Sequence, residues 1–268
     1  MKFLFSEIAL FQAVFLRSII TVPPVLLMVW VTKVTLRNLA KQDIRLIWLR
    51  VGAEICTTVA FLTALKYMPL ANVTAILQAL PLAVTMAAAL FLAEPIGWRR
   101  WSAILVGFVG VLIVVRPGLD GFNVYSLSAL AAIIFITVRE IATRKLAQEV
   151  PTITVVLSTA IGSAVFAGIM MVGAEWHAVS TSSWLLLIGA AFAVLIATLL
   201  SVMAMRTGEI GFVSPFRYTS MIGAIGLGIL MFGEWPDQPT LAGTLIIVIT
   251  GIYTFHREQK ISRGVTAT

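Results

Sequence analysis

Residues 184–205 read WLLLIGAAFAVLIATLLSVMAM. No charged side chain interrupts this run and every helical face of it is apolar. It therefore has neither the alternation of a half-buried strand nor the polar stripe of a surface helix. It also exceeds the ~20 residues that carry a helix across a ~30 Å hydrocarbon layer. Other stretches behave alike: 27 residues between Lys66 and Glu94, 25 between Glu149 and Glu175, and 15 between Arg100 and Arg116 contain no acidic or basic side chain. Lipid offers backbone polar groups no partner, so such segments cross as helices or as a closed barrel. Barrel strands alternate apolar and polar residues over roughly 10 positions, and these stretches do not. The chain reads as an all-α polytopic membrane protein.

Composition points the same way. Of 268 residues, 60% are hydrophobic and 12% charged, and the mean hydropathy is +1.01. That leaves too little polar surface to coat a globule in water. A pI near 10.0 is compatible with nucleic-acid binding, but the basic residues sit in short turns between apolar spans rather than on one folded face. No nucleic-acid partner is expected. Cys56 is the single cysteine, and His177 and His256 lie at span boundaries without partners at ligand spacing. No disulfide, metal site or other cofactor is therefore expected. The chain has no G-x-x-x-x-G-K-[ST], G-x-S-x-G, H-E-x-x-H or D-x-x-x-D pattern, which argues against ATP hydrolysis and against an intramembrane enzyme.

Charges, prolines and glycines divide the chain into nine expected spans, near 8–31, 47–65, 70–93, 101–116, 125–143, 151–173, 183–205, 209–232 and 240–256. All seven tryptophans fall at or beside a span end, where an amphipathic indole prefers the interface. Thirteen loop and tail cations, among them Arg50, Arg144 and Arg206, fall on one side; Lys2, Lys66 and Arg116 fall on the other; Arg17, Arg139 and Arg217 fall within spans. The positive-inside rule makes the thirteen-cation side cytoplasmic, with the C-terminus there and 257–268 as a cytoplasmic tail.

An internal repeat accounts for the odd number. Displacing the chain by 140 residues lays Ala64 on Ala204, Lys66 on Arg206, Val73 on Val213, Leu90 on Leu230 and Glu94 on Glu234. Each half ends in the same three-helix unit. Two spans precede that unit in the second half and one precedes it in the first. The expected plan is an inverted repeat of five-helix halves, 1–118 and 125–256, lacking the first helix of the first half. An open groove of apolar and small side chains is then expected beside 8–31.

The stretch Ala64–Gly118 carries an A-L-x-Y turn, a central Pro81, an L-x-E span end at Glu94, and a closing G-x-x-G helix that ends in R-P-G. Residues 204–253 keep the same order more loosely. This pattern closely resembles the repeat of EamA-type members of the drug/metabolite transporter superfamily. The resemblance covers nearly the whole chain. It implies ten helices, of which the first, absent here, helps line the central cavity; it also implies residence in the inner (plasma) membrane and a small-metabolite or drug substrate. Within the family the sequence is similar to uptake branches for S-adenosylmethionine or riboflavin.

Charges kept inside lipid are functional candidates because they are costly there. Arg17 lies ten residues into its span, ~15 Å at 1.5 Å per residue, and is expected to meet Glu54 or an anionic substrate. Arg217 and Tyr218 follow Pro215, which frees helical carbonyls as in discontinuous transporter helices. Arg139 and Glu140 are adjacent and point about 100° apart, so Glu140 is expected to pair with Arg144 and leave Arg139 free. Glu54, one turn beyond Arg50, is expected to form an interfacial ion pair with it, or to carry a coupling proton. Gln78 sits mid-span beside Pro81 as an amide that reaches substrate or a neighbouring helix. Substrate binding is thus expected at Arg17, Gln78, Arg139, Arg217 and Tyr218, and coupling at Glu54 and Glu140. The in-span charges, three arginines against two glutamates, leave one positive charge and suggest a carboxylate-bearing substrate. The reading is a secondary transporter embedded in the bilayer, with homodimerisation left open. Its competitor is a truncated or non-transporting membrane partner protein.

Overall fold

The computed structural model describes residues 2–33, 39–91, 97–117, 123–207 and 219–265. Those residues are helical with short connections. A 3-10 turn at Lys2–Ser6 precedes ten helices: α1 Leu10–Thr32, α2 Lys41–Tyr67, α3 Leu70–Leu77, α4 Leu80–Phe91, α5 Trp98–Val115, α6 Ser126–Arg144, α7 Thr152–Met170, α8 Thr181–Thr207, α9 Thr219–Phe232 and α10 Gln238–Val265. Among the described residues, six spans are long and apolar enough to cross a membrane, with α3 and α4 counted as one span over Leu70–Phe91; three shorter apolar helices lie at Trp101–Val115, Ser220–Phe232 and Gln238–Thr254. The hydrophobic surface is large. Leu185, Ile196 and Leu200 of α8 are exposed, as are Leu227 and Leu230 of α9. Side chains of this kind lose nothing against hydrocarbon.

The span expected over 70–93 breaks at Gln78–Ala79. Pro81 has no N–H for the carbonyl of Leu77, and its ring crowds that turn. The helix closes with Gln78 N–H on Thr74 O at 3.1 Å and restarts with Ala83 N–H on Ala79 O at 3.0 Å. A second punctuation ends α9. Gly233 takes φ +66°, a region costly to any residue with a Cβ, so that Gly233 N–H reaches Ile229 O and Glu234 N–H reaches Gly228 O.

The chain forms two compact units, one of residues 1–58 and 138–207 and the other of residues 59–137 and 208–268. In the first, α1 packs along α7 and α8, and Val25, Val51, Val155, Leu157 and Leu195 belong to its core. At one end of this unit Asp43 accepts the Ala147 N–H at 3.1 Å, and Arg206 donates to the carbonyls of Ala147 and Gln148 at 2.9 Å each. At its other end the Gln12 amide pairs with both backbone groups of His177, at 2.7 and 3.1 Å, and Glu7 accepts from Ser180 and Ser183. An apolar groove of about 590 Å³ runs between α2 and α7, lined by Trp48, Val51, Gly52, Ile55, Gly162 and Val165 among others. Its lining holds no residue of α1, so it does not locate the vacancy expected beside 8–31.

In the second unit α5 lies along α10 at very close range. A Cβ on Gly110 would sit 2.8 Å from the carbonyl oxygen of Gly243, and one on Gly243 would sit 2.6 Å from that of Gly110. Small residues let the two backbones touch. At one end of this unit Glu234 accepts the first N–H of α3, from Leu70, at 2.8 Å, Arg116 pairs with Asp237, and Tyr67 stacks on Tyr125 with centroids 4.2 Å apart.

Candidate functional site

The first unit carries a buried polar cluster. α2 starts at Lys41, six residues before the expected span, so Arg50 lies nine residues into the helix and is 2% exposed. This corrects its assignment to a cytoplasmic turn. Its guanidinium donates through Nε to Thr143 Oγ1 at 2.9 Å and through Nη1 to Thr159 Oγ1. Two hydroxyls, on α6 and α7, thus hold a charge that was expected to reach the interface and pair with Glu54.

Glu54 pairs instead with Arg139, Oε2 to Nη1 at 2.6 Å. The same guanidinium uses Nη2 on Glu140 at 2.9 Å. That corrects the expectation that Arg139 is free and that adjacent Arg139 and Glu140 cannot meet. Their Cα–Cβ bonds do diverge, but the three-carbon arginine stem reaches back, and the fork bridges a carboxylate on α2 and one on α6. Glu140 is 1% exposed and also accepts from Ser201 of α8 at 3.2 Å. Arg139 therefore orients two carboxylates.

Arg17 is different. It is 8% exposed, and among the described residues its guanidinium makes no hydrogen bond or ion pair. It faces a cavity of about 30 Å³ lined also by Ser18, Thr21, Glu54, Thr159, Ser163 and Thr198. Six residues on, Pro23 and Pro24 lie inside α1. They deprive the carbonyls of Ile19 and Ile20 of helical donors, a signal legible in the sequence that the span reading passed over.

Gln78 belongs to the second unit. It is 3% exposed at the α3–α4 break, and its Nε2 donates to Ser220 Oγ of α9 at 3.2 Å. Arg217 and Tyr218 lie outside the described residues, as does Glu94. The structure thus brings Arg17, Glu54, Arg139 and Glu140 into one unit, together with Arg50, Thr143, Thr159 and Ser201, which sequence reasoning did not select. Hydroxyls on apolar helices carry no sequence signal that separates a ligand of arginine from a hydroxyl bonded to its own helix.

The chain resembles known transporters along most of its length. It is 30% identical over 217 residues to a riboflavin transporter of Vibrio cholerae, covering 80% of this chain and 72% of that protein. It is 26% identical over 199 residues to an S-adenosylmethionine uptake transporter of Rickettsia conorii, covering 73% of this chain and 66% of that protein. Over 216 residues it is 25% identical to a pseudopaline exporter of Pseudomonas aeruginosa, covering 80% and 76%. A solved crystal structure superposes with a TM-score of 0.68 over 91% of this chain and 87% of the other, at 19% identity, which establishes a shared fold. The EamA-like transporter family profile matches residues 1–116 and 124–255. A multi-pass membrane protein with transporter relatives on this scale belongs to the EamA-like transporter family.

Proposed function

We propose that this protein is a secondary transporter of the inner membrane that moves a small carboxylate-bearing or amphipathic metabolite by alternating access. In this reading the spans form an inverted repeat, and the C-terminus is cytoplasmic. The observation that carries it is the unpaired, buried Arg17 guanidinium facing a polar cavity. A charge is kept inside lipid at a cost of several kcal/mol only where a partner arrives. Arg17 receives the substrate's carboxylate, a role for which a planar fork of donors is suited. Arg139 holds Glu54 and Glu140 in register beside it, and those carboxylates couple substrate movement to a cation or proton. Gln78, at a helix break in the second unit, is a further candidate substrate contact, as are Arg217 and Tyr218, which lie outside the described residues.

The cavity, about 30 Å³, is far below the ~300 Å³ of a metabolite pocket and has room for a carboxylate end rather than a whole metabolite. The relatives supply a first substrate panel: riboflavin and S-adenosylmethionine, tested beside simple carboxylic acids. The purified chain in proteoliposomes should take up at least one of these saturably and compete it with unlabelled substrate. Uptake equal to protein-free vesicles across the panel would contradict the proposal.

A further inference from the structure

We propose that the Arg17 cavity holds a single small monovalent anion of the halide class. This rests on the reading of Arg17 as the substrate-carboxylate site, and it names what neutralises that site when no substrate is bound.

Three observations converge. The first is charge. In the middle of the first unit Arg17, Arg50 and Arg139 face Glu54 and Glu140. Glu54 and Glu140 are both held by Arg139, and the surplus negative charge of that trio is balanced by Arg50, whose hydrogen bonds go to Thr143 and Thr159. The net positive charge left over falls to Arg17, which is 8% exposed and, among the described residues, makes no hydrogen bond or ion pair, only an attraction beyond ion-pair distance to the Glu54 that Arg139 already holds. Removing a lone guanidinium from water costs several kcal/mol unless a counter-charge accompanies it.

The second is the donor set. Ser18 and Ser163 are 3% and 7% exposed, and Thr198 is half-buried. All three line the cavity, and none has a hydrogen-bond partner among the described residues. Thr21 and Thr159 also line it, but their hydroxyls donate to the carbonyls of Arg17 and Val155. Three unspent hydroxyls from α1, α7 and α8 therefore surround one unspent guanidinium. Hydroxyls turn their hydrogens toward whatever accepts them, and a set of this kind solvates an anion. Glu54 lines the same cavity, but its charge is already shared with Arg139.

The third is size. By water-probe measure one water needs ~10–15 Å³, so about 30 Å³ admits about two water-sized occupants. A halide with one water fits, and a whole metabolite does not. The anion therefore stands where the carboxylate of a substrate goes, and the two compete.

The test uses the full chain purified in detergent. Its melting temperature is followed as sodium chloride or sodium bromide replaces sodium gluconate at fixed ionic strength and pH. Formate runs as a parallel arm, because it presents a carboxylate of similar size. Expected is a saturable rise in chloride and in bromide. Arg17→Gln should abolish it, and Ser163→Ala or Thr198→Val should raise the half-saturating concentration about fivefold by removing one hydrogen bond. Should Arg17→Gln fail to fold, the two hydroxyl variants still carry the test. Equal melting temperatures in halide and gluconate overturn the proposal, as does a halide effect unchanged in all three variants. A rise in formate alone, lost in Arg17→Gln, overturns the halide proposal and leaves the carboxylate reading standing. No response to any anion removes both readings of Arg17, while the uptake assay still decides transport.

Discussion

Arg139 and Glu54, 85 residues apart in the chain, meet at 2.6 Å and tie α6 to α2 where both helices pass through an apolar region. Arg139 also holds Glu140, at 2.9 Å, whereas among the described residues Glu54 makes its one ion pair with Arg139. Neutralising Arg139 strands the Glu54 charge away from water, while neutralising Glu54 leaves Arg139 on Glu140. Arg139→Gln should therefore destabilise the protein by about 3 kcal/mol, and Glu54→Gln by less. The doubly neutral variant should cost clearly less than the sum of the two. Unfolding in mixed micelles at increasing denaturing-detergent fraction measures this. Strict additivity would mean the pair is not coupled.

A backbone contact sets the next expectation. At the α5–α10 crossing the atom opposing a new Cβ is a carbonyl oxygen, which cannot swing aside. Gly110→Ala and Gly243→Ala should each cost about 1–3 kcal/mol as the helices are forced apart. Gly189→Ala is the control. A Cβ there meets nothing within 4 Å, so the variant should be neutral or gain up to about 1 kcal/mol from helix propensity. Equal effects at the three sites would contradict the close crossing.

Glu7 gives a pH dependence outside the spans. Hydrogen bonds from the Ser183 hydroxyl, and then from the Ser180 backbone and side chain, hold its carboxyl below its ordinary value of 4.5, against a smaller opposing effect of burial. A depressed acid contributes stability that is full above its unfolded pKa and is lost as pH falls through the folded value. The contact between residues 2–8 and 177–183 should therefore hold at pH 6 to 7 and loosen only well into the acid range, below about pH 4. Hydrogen exchange of Ser180 N–H against pH reads this. Glu7→Gln should exchange fast at every pH, and a wild-type profile that does not change with acidification would remove Glu7 from the contact.

Much of the fold was legible because lipid writes it in composition. Long uncharged runs gave the helices, and the turn residues Lys66, Arg116, Arg144 and Arg206 fall near helix ends in the structure, but Pro81, read as a mid-span residue, sits beside a break. Within the first unit, the connections expected on one side of the membrane do gather at one end, as the contacts of Asp43 and Arg206 with the α6–α7 turn show. The candidate site was legible only in part. Arg17 announced itself by depth alone. Arg50 did not, because its burial depends on α2 starting at Lys41 and on Thr143 and Thr159, two hydroxyls with nothing in their neighbourhood to distinguish them. The Arg139–Glu140 contact was missed because helical spacing describes where Cβ atoms point, and a long guanidinium stem is not bound by that direction.

Orientation follows from the charges. With Arg50 inside α2, twelve of the remaining fifteen cations read as loop or tail residues still fall on one side, so a reporter fused after Thr268 should read cytoplasmic, and a cysteine placed in the turn at 176–183 should react with an impermeant reagent from outside. The exposed Cys56 is removed first so that the label reports one position. Reaction only in inverted vesicles would turn the topology over.

Transport through Arg17 is read by initial uptake rates in proteoliposomes for the wild type, Arg17→Lys and Arg17→Gln, at matched insertion, with the substrate found in the panel. Losing the charge-assisted partner of a buried carboxylate costs roughly 2–5 kcal/mol, so Arg17→Gln should need about 30-fold more substrate, or more, for half-maximal uptake. Arg17→Lys should recover part of this, since it restores the charge but not the fork. Wild-type uptake by a correctly folded Arg17→Gln protein would contradict the account.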